Sequence, residues 1–201
     1  MNENRVLCIM AHPDDAEIWC GGALVSNNQI GTSRILVERV SKERELEARF
    51  GAEALGCQIS TSEVVDELTC QNEITEFMPH AIITHNIQDL HPDHRRIATS
   101  VLGAIFDARI KTGCPQRLYY CDSYTSSLLN GNVRGDCIVP IDSHFDKKIS
   151  ALEKHKSQPV ENFRELMERQ AAFWGLRVGC RYAEAFDRVP VMGRVPPHKT
   201  L

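Results

Sequence analysis

His12, Asp14 and Asp15 stand together near the start of the chain, and His91, Asp93 and His94 form a second group of the same chemistry about a third of the chain later. Imidazoles and carboxylates at this spacing can ligate a divalent cation or move protons. Two imidazoles and one carboxylate make a three-ligand set that leaves a position for water, as catalytic zinc sites do, whereas structural zinc favours closed, thiolate-rich sites. Either group alone is a common turn or helix-capping pattern, because aspartate caps helices and proline sets turns. Their joint occurrence carries more. AHPDDAE follows the apolar run Val6-Leu7-Cys8-Ile9-Met10, and DLHPDHRR comes soon after the apolar run Ala81 to Thr84. In open parallel sheets ligands bind beyond the carboxyl ends of the strands, so both groups are expected to meet at one edge.

The elements needed to position them are legible as alternating apolar runs and helical periodicities. Strands are predicted over 5–10, 33–40, 57–60, 81–84, 117–121, 136–140 and 182–188. Helices are predicted over 16–28, from a Ser41 cap to Leu55, over 70–78 before Pro79, over 92–111, from an Asp142 cap to about Lys156, and over 161–176. Glu45 lies close to the capping-box position of the second helix, and Gly56 lies just past its end. Strands alternating with helices of this length imply a Rossmann-like α/β domain with a mostly parallel sheet. One domain is expected over residues 1–188, followed by an irregular tail over 189–201. The polar stretch Asp122 to Gly135 is long for a compact domain and reads as a substrate-facing flap.

Of the 201 residues, 42% are hydrophobic and 25% charged, as in ordinary soluble globular proteins. The net charge of -4 offers no basic footprint for nucleic acid, and no run approaches the roughly 20 apolar residues of a membrane span. The N-terminus MNENRVLCIMAHPDD lacks the pattern of a signal peptide, which predicts a cytoplasmic protein. The eight cysteines are scattered singly with no C-x-x-C, and read as reduced small hydrophobes rather than a disulfide framework or thiolate zinc site.

These motifs resemble the LmbE-like (PIG-L) family of zinc-dependent N-acetylglucosaminyl deacetylases, which includes N-acetylglucosaminylphosphatidylinositol de-N-acetylases and the deacetylases of mycothiol and bacillithiol biosynthesis. Beside AHPDDAE and DLHPDHRR, the segment Arg44-Glu45-Leu46-Glu47-Ala48 is similar to the family's R-x-x-E-A helix. His155-Lys156-Ser157-Gln158 fits its H-x-S-Q segment, and Tyr182 to Phe186 its Y-A-E-x-F ending. The resemblance implies His12, Asp15 and His94 as ligands of Zn2+, with Fe2+ or Co2+ as alternatives. It also implies Asp14 as general base, His91 facing the reacting carbonyl, and Arg44 as a substrate-binding residue. Asp93 is read as orienting a histidine or capping the helix. Glu17 reads as a supporting carboxylate or a helix N-terminal charge, His155 and Gln158 as structural hydrogen-bonding residues, and Glu184 as a buried anchor. His80, His85, His144 and His198 are read as polar surface.

Two departures stand out. Only Glu38 to Glu43 occupies the place of the family's longer glycine-containing segment. Asp89 stands where some members carry a tyrosine that holds the oxyanion, so such a donor must come from elsewhere, with Tyr119, Tyr120 and Tyr124 as candidates. The resulting expectation is a deacetylase acting on a GlcNAc-type conjugate such as a glycoside, thiol precursor, nucleotide-linked sugar or antibiotic intermediate. The alternatives are a non-catalytic sugar- or metal-binding module on the same fold and a hydrolase of a non-sugar amide. The partner expected is a small-molecule amino sugar, with a homo-oligomer left open.

Overall fold

The computed structural model describes residues 4–195. In chain order its elements are β1 (Asn4–Met10), α1 (Asp15–Asn27), β2 (Gly31–Glu38), α2 (Lys42–Leu55), β3 (Gln58–Ser62), α3 (Glu67–Phe77), β4 (Ala81–Thr84), α4 (Pro92–Thr112) and β5 (Arg117–Cys121). A short hairpin follows, β6 (Ser127–Leu128) and β7 (Gly131–Asn132). The chain continues through β8 (Cys137–Pro140), α5 (Phe145–Leu152), α6 (Val160–Val178) and β9 (Ala183–Val189).

The main sheet has the order β3-β2-β1-β4-β5-β9-β8. Its first five strands are parallel, and β9 runs antiparallel to both β5 and β8. This is the expected α/β architecture with a mostly parallel sheet. Strand side chains alternate between faces. Val6, Cys8 and Met10 of β1 pack with α1 and α5 on one side, while Leu7 and Ile9 pack with α3 and α4 on the other. With both faces covered, Val6 through Met10 are fully buried, which is why the run is continuously apolar. Strand β1 pairs with β2 on one side and β4 on the other, so the strand order reverses there and opens a crevice beyond their carboxyl ends.

Local chemistry sets the helix ends. Ser41 Oγ accepts from the Arg44 N–H, and Gly56 closes α2 in the left-handed conformation at φ 77°. Glu45 instead meets Arg49 and Thr61, so no reciprocal capping box forms. Helix α3 begins earlier than its apolar periodicity, because Asp66 caps it by accepting from Thr69 N. Asp142 does not cap α5, which starts at Phe145 and ends at Leu152; its carboxylate instead accepts from Tyr182 N at 2.6 Å and ties β9 to the preceding loop. Strand β2 ends at Glu38, two residues short of the expected limit, and β9 includes Val189. Val191 and Arg194 form an isolated bridge beyond it, and residues 196–201 of the expected tail, with His198, lie outside the described residues.

A buried ion pair locks α1. Glu184 on β9 accepts from Gly22 N at 2.9 Å and Ala23 N at 2.7 Å, and Lys148 of α5 donates both to Glu184 and to the Ile18 carbonyl. Glu184 is thus a buried anchor. Gly22 is required where α1 meets the segment after β8, since a Cβ there would lie 2.7 Å from the Ile141 side chain. Lys148→Met removes one partner of a buried pair, so unfolding free energy is expected to fall by about 3–5 kcal/mol, read by chemical denaturation.

Candidate metal centre

His12 and Asp14 lie in the turn between β1 and α1, and Asp15 opens α1. His91 caps α4, its Nδ1 accepting from Asp93 N, and His94 sits in the first turn of the same helix. The β1–β4 crevice brings the two segments together. His12 Nδ1 is 3.0 Å from Asp15 Oδ2, and His94 Nε2 is 3.4 Å from Asp15 Oδ1. Ligand atoms of His12, Asp15 and His94 all fall within 4.8 Å of one another. Two further groups of this spacing overlap it, His12 with His91 and Asp93, and His85 with Asp89 and His94.

The electrostatics favour a cation. Burial alone would raise the Asp15 carboxyl, but the His85, His94 and His12 imidazoles hold it well below the usual carboxylate range. Against the same desolvation, Asp15 and Asp89 push His94 up to about 10. His94 Nδ1 lies 3.2 Å from Asp89 Oδ2, yet neither ring nitrogen of this fully buried histidine is aligned for a hydrogen bond. Buried polar atoms left in that condition are costly. A divalent ion between His12, Asp15 and His94 would satisfy Nε2 and meet the local negative charge, so this donor set fits a metal of borderline softness such as zinc.

Asp14 is handled differently from its neighbour. It belongs to none of the three ligand-spaced groups, and its buried carboxylate accepts from Arg44 Nη2 at 2.7 Å. Burial, then the Asp15 charge, raise it above the ordinary aspartate range, with Arg44 and His155 opposing. Arg44, read from sequence as a substrate ligand, therefore has a protein partner. Asp93 is half-exposed and lies 3.6 Å from His12 Nε2 and 3.8 Å from His91 Nδ1; its carboxylate does not cap α4, a role taken by His91. His91 itself is shifted below the usual histidine range by burial and by His94 and His12.

Sequence reasoning missed two contributors. His85, taken for loop surface, is fully buried, with Nε2 accepting from Ala11 N at 3.1 Å and lying 3.2 Å from Asp15, and its ring stacks on His94 at 3.7 Å. Asp89 is also fully buried; one oxygen accepts from His91 N at 2.8 Å while the other faces His94. The only signal for Asp89 was its place two residues before His91. Carboxylates behind metal-binding histidines typically sustain affinity, so Asp89→Ala is expected to weaken zinc binding about 10–100-fold in a chelator competition.

Of the tyrosine candidates, Tyr124 reaches the cluster, its ring 6.1 Å from His94 and 5.1 Å from Trp19, while Tyr119 and Tyr120 are buried in β5. His144 is another buried residue, at the start of α5, and His80 Nδ1 accepts from Arg5 N, so neither is simple polar surface. The H-x-S-Q segment docks behind the site. His155 Nε2 lies 3.5 Å from Glu17, and Glu47 accepts from Ser157 N and Oγ.

No family model matches the chain, and no curated protein matches it at a significant level. Solved structures do. N,N'-diacetylchitobiose deacetylase from Pyrococcus horikoshii superposes with a TM-score of 0.75 at 18% identity, covering 95% of this chain and 85% of its own. The A40926 pseudoaglycone deacetylase Dbv21 gives 0.73 at 17%, covering 94% and 98%. The fold is that of the LmbE-like deacetylases. It is not confined to deacetylation, since GalB, the 4-carboxy-2-hydroxymuconate hydratase from Pseudomonas putida, gives 0.80 at 19% identity over 97% and 99% of the two chains. The LmbE-like fold thus places the residues, and their chemistry must decide the reaction.

Proposed function

We propose that this chain is a metal-dependent hydrolase that removes the N-acetyl group from a GlcNAc-type amino-sugar conjugate. His12, Asp15 and His94 hold the ion, with zinc the first choice. The observation that carries the reading is the separation of the adjacent aspartates: Asp15 sits among imidazoles, while Asp14 is buried apart on Arg44. A metal-binding module needs the first arrangement and has no use for the second.

A bound divalent ion supplies acidity to water, lowering its pKa to roughly 7, and polarises the amide oxygen. Asp14 accepts the proton as water attacks the acetyl carbonyl, its raised pKa bringing it closer to the operating pH, as suits a base. Arg44 fixes the direction of its carboxylate. Because His91 Nδ1 accepts from Asp93 N, the neutral ring carries its proton on Nε2, where it donates to the developing oxyanion. Asp14, now protonated, returns the proton to the leaving amine. Asp93 sets the charge beside His12 and His91.

The test is acetate release from a panel of N-acetylglucosaminyl conjugates by zinc-loaded protein, with a matched non-sugar acetamide and an unsaturated carboxylate as controls. Acetate from the sugar conjugates alone is the expected result. No acetate from any conjugate sinks the reading, and consumption of the unsaturated acid instead would mark a hydratase.

A further inference from the structure

Beyond the metal cluster, a cavity of about 460 Å³ opens between the β6–β7 hairpin and the second half of α6. Leu166, Phe173, Trp174 and Val133 give it an apolar body, and Arg169 and Arg177 stand among its lining residues. Arg169, Phe173 and Arg177 recur every four residues, which sets them on one face of α6. Among the described residues no carboxylate lines the space. Among the described residues Arg177 makes no ion pair; its guanidinium lies over the Trp174 ring at 4.9 Å. Arg169 is held by Glu165 at 2.5 Å.

The cavity is built, and the loop that borders it also borders the candidate site. Trp174 is nearly fully buried and its indole donates to Asp122 at 2.6 Å, so the floor is fixed. Thr125 and Ser126 hold φ values of 52° and 55°, a left-handed conformation that is costly for a β-branched residue and is concentrated at ligand clamps and functional sites. That twist lets Tyr124 pack against His94 and Trp19 while Thr125 and Ser126 line the cavity. The hairpin is also bonded to the metal-site loop, through the Asp89–Leu128 bridge and Leu129 N to Gln88 O at 2.8 Å. One loop therefore borders both spaces.

We infer that this cavity binds the non-sugar portion of the substrate, an apolar group ending in an anion such as a carboxylate. The inference rests on the proposed deacetylase function. Its volume falls within the range of pockets that enclose drug-sized ligands. The apolar walls take the hydrocarbon body, the exposed Phe173 offers a ring face above the Trp174 floor, and Arg177 receives the charge.

The test uses zinc-loaded protein and the methyl, octyl and 8-carboxyoctyl glycosides of N-acetylglucosamine. The carboxyoctyl glycoside is expected to show a KM about tenfold or more below that of the methyl glycoside at similar kcat. Arg177→Gln should remove that advantage and leave methyl glycoside kinetics unchanged. In parallel, 4-phenylbutanoate binding is followed by tryptophan fluorescence, with Arg177→Gln and Phe173→Ser expected to abolish it. A KM independent of the aglycone overturns the inference, even if phenylbutanoate binds, because the site then serves a separate ligand. So does a carboxyoctyl preference that survives Arg177→Gln. If no glycoside releases acetate while phenylbutanoate binds through Arg177, the deacetylase reading fails and the cavity stands as a site for apolar anions.

Discussion

Asp14→Ala is expected to lower kcat for acetate release by about 10²–10⁴-fold, the usual worth of a positioned general base, while zinc content stays at the wild-type level. The two readouts separate because Asp14 lies outside the ligand-spaced groups. The substitution also frees Arg44, whose Nε is already buried without a partner, so some loss of stability should accompany the kinetic defect. Asp14→Asn keeps the shape and an acceptor for Arg44 but removes the base, and should reproduce the fall in kcat with less change in stability. If either variant released acetate at the wild-type rate, Asp14 would not be the base.

The second large effect is expected at the adjacent residue. Asp15→Ala should abolish stoichiometric zinc binding and with it all acetate release. Asp15 is the carboxylate that, among the described residues, His12, His85 and His94 share, and Trp19 Nε1 also donates to it at 3.2 Å. Removing it leaves three imidazoles crowded together, with Asp14, Asp89 and Asp93 as the nearby counter-charge. Metal analysis after dialysis gives the answer directly. Full zinc occupancy in the purified variant would displace the metal from the proposed ligand set and point to the His85, Asp89 and His94 group in its place.

The parts of this molecule legible in its sequence are those governed by neighbours along the chain. Strand β4 and the α2 limits with their Ser41 and Gly56 caps follow from apolar runs and local hydrogen bonding. The two H-P-D motifs were legible because strand ends in a parallel sheet must converge. His85 and Asp89 were not, because a polar residue in a loop looks the same whether it faces solvent or a buried imidazole; the stack on His94 is a tertiary fact. Asp142 misled for the opposite reason, since a good local cap was taken by the long-range partner Tyr182. The antiparallel finish of the sheet was equally hidden, as β9 pairs with β5 across the whole β6–α6 insertion.

The Glu184 clamp on α1 has a consequence for how the molecule is made. Every proposed metal ligand has left the ribosome once His94 has, but the carboxylate that holds Gly22 and Ala23 lies 162 and 161 residues further on than its partners. At ordinary translation speeds the stretch from His94 to Glu184 takes on the order of ten seconds to make. The nascent chain therefore carries a complete set of ligands while α1, which bears Asp15, is not yet fastened. A ribosome-stalled chain ending before Glu184 should bind zinc weakly and exchange it quickly, with tight retention arriving only when the last strand inserts.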